Sequence, residues 1–173
     1  MFKKILLFVA ILATCMCVLA GCGNKYNAEL TDSRYETLAG VLTEDFLTEN
    51  LVYGVYYEAG YAVDDTYPLE RTVIISSQEE FEKTLINPGQ YSVDFETEML
   101  VIYTFRAGYA RPITLKSIKY DGGTLKINLK MKGGIFGHGD AAQPFQRYLF
   151  IKLSRLDVTS VQVELTEGKD RLF

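Results

Sequence analysis

The chain has no tryptophan, a single histidine, three cysteines and four prolines in 173 residues. Each scarcity excludes something. One histidine, His138, cannot build a histidine metal cluster, and no cysteine lies near it to help. Cys15, Cys17 and Cys22 all fall at the N-terminal edge, so nothing downstream can form a disulfide or a thiolate site. Basic runs are also missing. Lysine and arginine total 18 against 22 acidic residues, a net charge of −4. That balance argues against nucleic acid as a partner, and against electrostatic adhesion to an anionic membrane. Long apolar runs are missing with one exception. Ile5 to Ala20 carries no charge, yet it is short of the roughly 20 apolar residues of a membrane span.

That exception carries the clearest signal present. Lys3-Lys4, the apolar run and then small residues make an export signal over residues 1–21. Leu19-Ala20-Gly21-Cys22 resembles the lipobox of bacterial lipoproteins. The resemblance implies cleavage before Cys22, a diacylglycerol on its thiol, and a protein held by lipid on the extracytoplasmic face of the cell membrane. Removing residues 1–21 leaves 152 residues (173 − 21), with 16 basic and 22 acidic side chains. That length suffices for one domain with a core. Residues 22–33, polar and aperiodic after the cysteine, are expected as a flexible tether, and residues 34–173 as a single β-rich globular domain.

The aromatic residues, 12 tyrosines and 10 phenylalanines, favour strands. In Thr124 to Lys132, Leu125, Ile127, Leu129 and Met131 alternate with polar residues, which predicts a strand with one buried face. Asp121-Gly122-Gly123 before it is a hairpin signal, with Ile113 to Tyr120 as partner strand. The phase slips between Leu115 and Ile118, predicting a bulge. Met99 to Phe105 is apolar on both faces and reads as a central strand. Arg147 to Leu153, Ser160 to Leu165, Leu51 to Tyr57 and Arg71 to Ile75 are further strands. One main helix is expected near 77–86: Ser77 and Glu80 form a capping box, Phe81 and Leu85 share a face, and Glu79 and Lys83 pair across one turn. The fold class is therefore α+β, mainly antiparallel β, sheet or sandwich-like, with about seven strands. Asp45 to Val52 echoes Asp94 to Val101, and each block is followed by Ala-Gly-Tyr-Ala, which leaves a duplicated strand-and-turn unit open.

No catalytic set, cofactor motif or metal cluster is expected. His138 and Asp140 lie in a Gly-rich stretch that reads as a loop between strands, and no nucleophile motif accompanies them. Asp64, Asp65 and Glu70 lack the regular spacing of a calcium loop. Tyr53, Tyr56, Tyr57, Tyr61 and Tyr67 could line a platform or simply pack across strands. Arg106, Tyr109 and Arg111 are expected in a turn after the central strand, where such residues suit a binding surface. With His138 they form the candidate partner-binding set.

Residues 76–165 resemble the C-terminal domain of PrcB-type protease-complex proteins. The likeness rests on order: the SQEEFEKTL helix, VDFETEMLVIYTF, the AGYARP turn, a hairpin, a Gly-rich loop, then QPFQRY leading into LFIKL. The family's Pro-Thr-Gly-Gly-Tyr turn survives only as Gly108-Tyr109, with Pro112 after it. The resemblance implies a small β-rich domain that binds or stabilises an exported protease without catalysis. Two other readings stay open: a receptor for a small ligand such as a glycan, and an envelope hydrolase.

Overall fold

The computed structural model describes residues 25–32, 40–57, 60–61, 66–133 and 140–168. Among these, the elements run β1 (Glu29–Asp32), α1 (Glu44–Glu49), β2 (Tyr56–Tyr57), β3 (Gly60–Tyr61), β4 (Glu70–Ile75), α2 (Gln78–Thr84), a 3-10 turn (Pro88–Gln90), β5 (Glu98–Tyr109), β6 (Ile113–Asp121), β7 (Thr124–Met131), β8 (Asp140–Ser154) and β9 (Ser160–Glu167). The fold is α+β and mainly β. Seven strands have four or more residues, and β2 and β3 have two each.

The strands form two sheets. The large sheet has the order β3-β2-β8-β5-β4, with β1 also on β8; the small sheet is β6-β7-β9. β5 and β8 are antiparallel from Glu98↔Ser154 to Tyr109↔Asp140. β7 and β9 are parallel, because β8 intervenes between them in the other sheet.

Alternation along β5 explains the layers. Met99, Val101, Tyr103 and Phe105 join Leu149, Ile151 and Leu153 of β8 against Ile113, Leu125, Ile127, Leu129 and Met131 of the small sheet. Leu100 and Ile102, with Tyr148 and Phe150 of β8, face the opposite way. They pack under Phe46 of α1, and under Phe81 and Leu85 at α2. The order is therefore helices, large sheet, small sheet. A strand covered on both faces must be apolar on both, as Met99 to Phe105 is.

Local chemistry sets the remaining elements. Gly122 and Gly123 take φ of +52° and +85°, the left-handed region that a two-residue hairpin turn between Asp121 and Thr124 requires. The bulge falls between Leu115 and Ser117, as the phase slip predicts. Glu80 N donates to Ser77 Oγ at 3.2 Å, and Glu80 Oε2 accepts from Ser76 N at 2.8 Å. The capping box thus closes one residue earlier than expected. Lys83 and Glu79 pair at 2.8 Å.

Three expectations are corrected. The tether expected over 22–33 contains β1, which pairs with β8 from Glu29↔Lys152 to Asp32↔Leu149. Tyr26 before it is only 8% exposed and sits in the core between the sheets. Residues 51–55 precede β2 as a loop with a turn at Tyr53-Gly54 rather than beginning a strand. The echoed blocks also fold differently: 45–49 is helical, whereas 94–97 is a turn leading into β5. They are not copies of one structural unit.

Tyr26 gives the measurable consequence of the first correction. Tyr26→Ala should destabilise the domain by about 3 kcal/mol, as for other buried aromatic truncations. Urea unfolding of the variant checks this; a midpoint equal to the parent's would return the segment to the status of a tether.

Candidate functional site

One end of the paired strands β5 and β8 gathers most of the residues singled out in the sequence. Arg106, Ala107 and Tyr109 are not in a turn. They are the last residues of β5, paired with Gln146, Phe145 and Asp140 across a register shift between Ala107 and Tyr109. Only Ala110 to Pro112 cross to the small sheet. The strand outlasts its apolar run because β8 extends to Asp140 and supplies partners. Cys22 and His138 lie outside the described residues, as do Asp64 and Asp65. The flanks of the Gly-rich stretch are described, and they come to this same end. Lys132 N donates to Pro112 O at 2.7 Å, and Asp140 pairs with Tyr109.

A buried ion pair builds this end. Arg147 is fully buried and Asp32 nearly so, at 0% and 13% side-chain exposure. Arg147 Nη2 donates to both carboxylate oxygens of Asp32 at 2.6 Å, and Nε donates to Oδ1 at 3.1 Å. Arg147 Nη2 also lies 2.6 Å from Arg111 O, and Asp32 Oδ2 accepts from Ile113 N at 3.1 Å. The pair therefore ties β1 and β8 to the crossing between β5 and β6. The Arg147 guanidinium stands 5.9 Å from the Phe105 ring centroid, and Phe105 stacks on Tyr103 at 5.0 Å. Tyr103 donates its hydroxyl hydrogen bond to Glu70 on β4.

The helix-side face of the same end has its own clamp. Gln146 Nε2 donates to Asn50 O at 3.1 Å and to the Tyr148 hydroxyl, and Gln146 Oε1 accepts from Val52 N at 3.0 Å. Arg71 Nε donates to Leu51 O at 3.1 Å. These bonds hold loop 50–55 across the sheet. Arg106 rests on that loop, its Cζ 5.9 Å from the Tyr53 ring centroid. It also packs over Gly54, where an added Cβ would stand 3.5 Å from Arg106 Cζ. Gly54 has φ of +67°, so the turn favours glycine. Arg106 thus stays exposed but braced on the helix side, whereas the Arg111 carbonyl turns to Arg147 between the sheets.

Asp32 and Arg147 were missed as partners. Arg147 shares the inward phase of Leu149, Ile151 and Leu153, and a charge in that phase demands a counter-charge. Nothing local reveals that Asp32, 115 positions away, provides it.

Among the described residues, clefts also lie elsewhere. One, of about 560 Å³, opens at the far end between Ile74, Met99, Leu156 and Val158. Arg155 lines it but is turned onto Ser76 O at 3.1 Å and onto Phe95 O. Another, of about 230 Å³, lies among Phe81, Tyr91 and Phe150. Lys152 lines it too and contacts Glu29 at 3.2 Å and Glu98 at 3.6 Å. Among the described residues no three His, Cys, Asp or Glu side chains converge as metal ligands, and no helix is long and apolar enough to cross a membrane. No protein-family model, curated protein or solved structure matches the chain significantly.

Asp32→Ala should destabilise the protein by about 3–5 kcal/mol, because it removes the Asp32 carboxylate from a buried guanidinium. Asp32→Leu with Arg147→Met should recover most of that loss, since two apolar groups need no pairing. Urea midpoints of the three chains decide it; equal midpoints for parent and Asp32→Ala would mean that the pair does not hold the sheets.

The Tyr103 phenol gives a pH dependence. Burial, and secondarily the Glu70 carboxylate, pushes its pKa above the ordinary 10.0. Its contribution to stability is therefore complete below that value and is lost as pH rises through it, because the unfolded phenol ionises first. Stability should fall above about pH 10, and fall less steeply in Tyr103→Phe. Urea midpoints across that range, parallel in the two proteins, would contradict this.

Proposed function

We propose that the chain is a non-enzymatic binding module, anchored through lipid on Cys22 to the extracytoplasmic face of the cell membrane, that engages a protein partner through the β5–β6 end. A protease is the partner class that the PrcB-like arrangement of residues 76–165 suggests. One observation supports the reading most: two separate stretches chosen on sequence grounds, 106–112 and the Gly-rich 133–140, have their described parts at one end of the β5/β8 pair. That end is stiffened on both faces of the large sheet by Arg147 and Gln146. Loops on a rigid scaffold commonly carry binding, because little ordering entropy remains to be lost. Arg106, Tyr109, Arg111 and His138 are the contact residues in this reading.

Crosslinking in the native cell tests it. Tyr109→Ala with Arg111→Ala should cost about 2 kcal/mol of binding, roughly thirtyfold in affinity. The bond from Arg147 to the Arg111 carbonyl is retained by alanine, and a melting curve of the double variant checks the fold. Undiminished recovery of a crosslinked partner by a well-folded double variant would remove this end as the contact surface. Cys22→Ala, in parallel, should abolish labelling by a tagged fatty acid; unchanged labelling would remove the lipid anchor.

A further inference from the structure

The chain is acidic as a whole, yet the fold sorts its charges by layer. On the small sheet, β7 turns Leu125, Ile127, Leu129 and Met131 inward, so Lys126 and Lys130 point out. Lys119 of β6 stands directly opposite Lys126. Lys116 is the exposed extra residue of the bulge. Two carboxylates, Asp121 and Glu164, share this surface, and among the described residues none of the four lysines is ion-paired. Like charges placed opposite each other across strands oppose folding, so the Lys119–Lys126 pair does not serve the sheet. The opposite outer face has the reverse sign. Helices α1 and α2 expose Glu44, Asp45, Glu49, Glu79, Glu80 and Glu82, with Lys83 as their one basic residue.

We propose that the outer face of the small sheet rests on anionic lipid headgroups of the bilayer that holds Cys22, with the helix layer turned away. This rests on the lipid-anchor reading above. Charge complementarity selects the face, because each lysine near an anionic surface adds attraction while the acidic helices are repelled. Chain length permits the contact. Tyr26 is packed between the sheets, four residues from Cys22, so the anchor lies at most about 14 Å from it. The Tyr26 carbonyl accepts from Ser154 N of β8 at 2.8 Å, so the leash leaves from the large sheet. The roughly 10 Å between stacked sheets plus a lysine side chain is then matched by that reach together with the Cys22 side chain and its thioether-linked glycerol. The short leash also keeps the lysines at high effective concentration over the headgroups, so weak individual contacts suffice. In this pose the β5–β6 end faces along the membrane, open to a partner beside it.

The test uses the full lipid-modified chain in two kinds of vesicle: phosphatidylcholine alone, and equal parts phosphatidylcholine and phosphatidylglycerol. A water-soluble acylating reagent labels lysines, and mass spectrometry reads each site. With phosphatidylglycerol, acylation of Lys119, Lys126 and Lys130 should slow by at least about threefold, Lys83 should not change, and high salt should erase the difference. The K119E/K126E variant should lose the slowing at Lys130 while keeping its melting temperature. Equal rates in the two vesicles overturn the proposal, as does slowing at Lys83 instead. Protection seen in cells but not on phosphatidylglycerol also overturns it and assigns the face to an acidic protein. A chain that fails to stay on phosphatidylcholine vesicles refutes the lipid anchor; the phosphatidylglycerol comparison still decides the face.

Discussion

Arg147 has no exposure to solvent, and a guanidinium cannot give up its charge to escape burial. The structure around it is arranged to make that burial tolerable. Asp32 supplies the counter-charge from β1, and Arg111 supplies a carbonyl from the crossing between the sheets. Three segments far apart in sequence are therefore committed to one position. The pair also fixes register. A slip of one residue between β1 and β8 would turn Asp32 to the helix side and take its carboxylate away from Arg147. An apolar pair could match the stability but not that selectivity, which is the best-attested use of buried charge.

Gln146 and Arg147 are adjacent on β8, so they point to opposite faces of the large sheet. The first anchors loop 50–55 beside the helices. The second anchors the entry to the small sheet. A single dipeptide thereby joins all three layers at one end of the molecule. The same end carries the last residues of β5 and both flanks of the Gly-rich stretch. The polar brace and the proposed contact surface coincide because both need the point where the chain changes sheet.

Elements with their own periodicity were legible. The alternation of Thr124 to Lys132, the Gly122-Gly123 turn, the slip after Leu115 and the Ser77 cap each carry their cause within a few residues. What failed to show depends on distant partners. β1 has only Leu30 as an apolar residue in Glu29–Asp32, so it is a strand by pairing with β8 rather than by pattern. α1 is six residues long and buries only Phe46, too little for a helical period to register. The end of β5 was hidden because residues 106–109 are held by the first half of β8, which carries no strand signal of its own. Within the candidate site, the residues were visible and the brace that positions them was not.

Net charge hides the sorting of charge by layer for a related reason. It sums over the whole chain, whereas a surface senses only the face turned toward it. At physiological ionic strength interactions between exposed charges fade over about 8 Å. Two stacked sheets and a helix layer are about 20 Å deep. A headgroup plane against the small sheet therefore meets Lys116, Lys119, Lys126 and Lys130 at close range, while the carboxylates of α1 and α2 stand more than two screening lengths away. Overall acidity does not cancel a lysine face once the layers separate the two. It makes the molecule polar across its thickness, and a charged plane exerts an orienting torque on any such body near it.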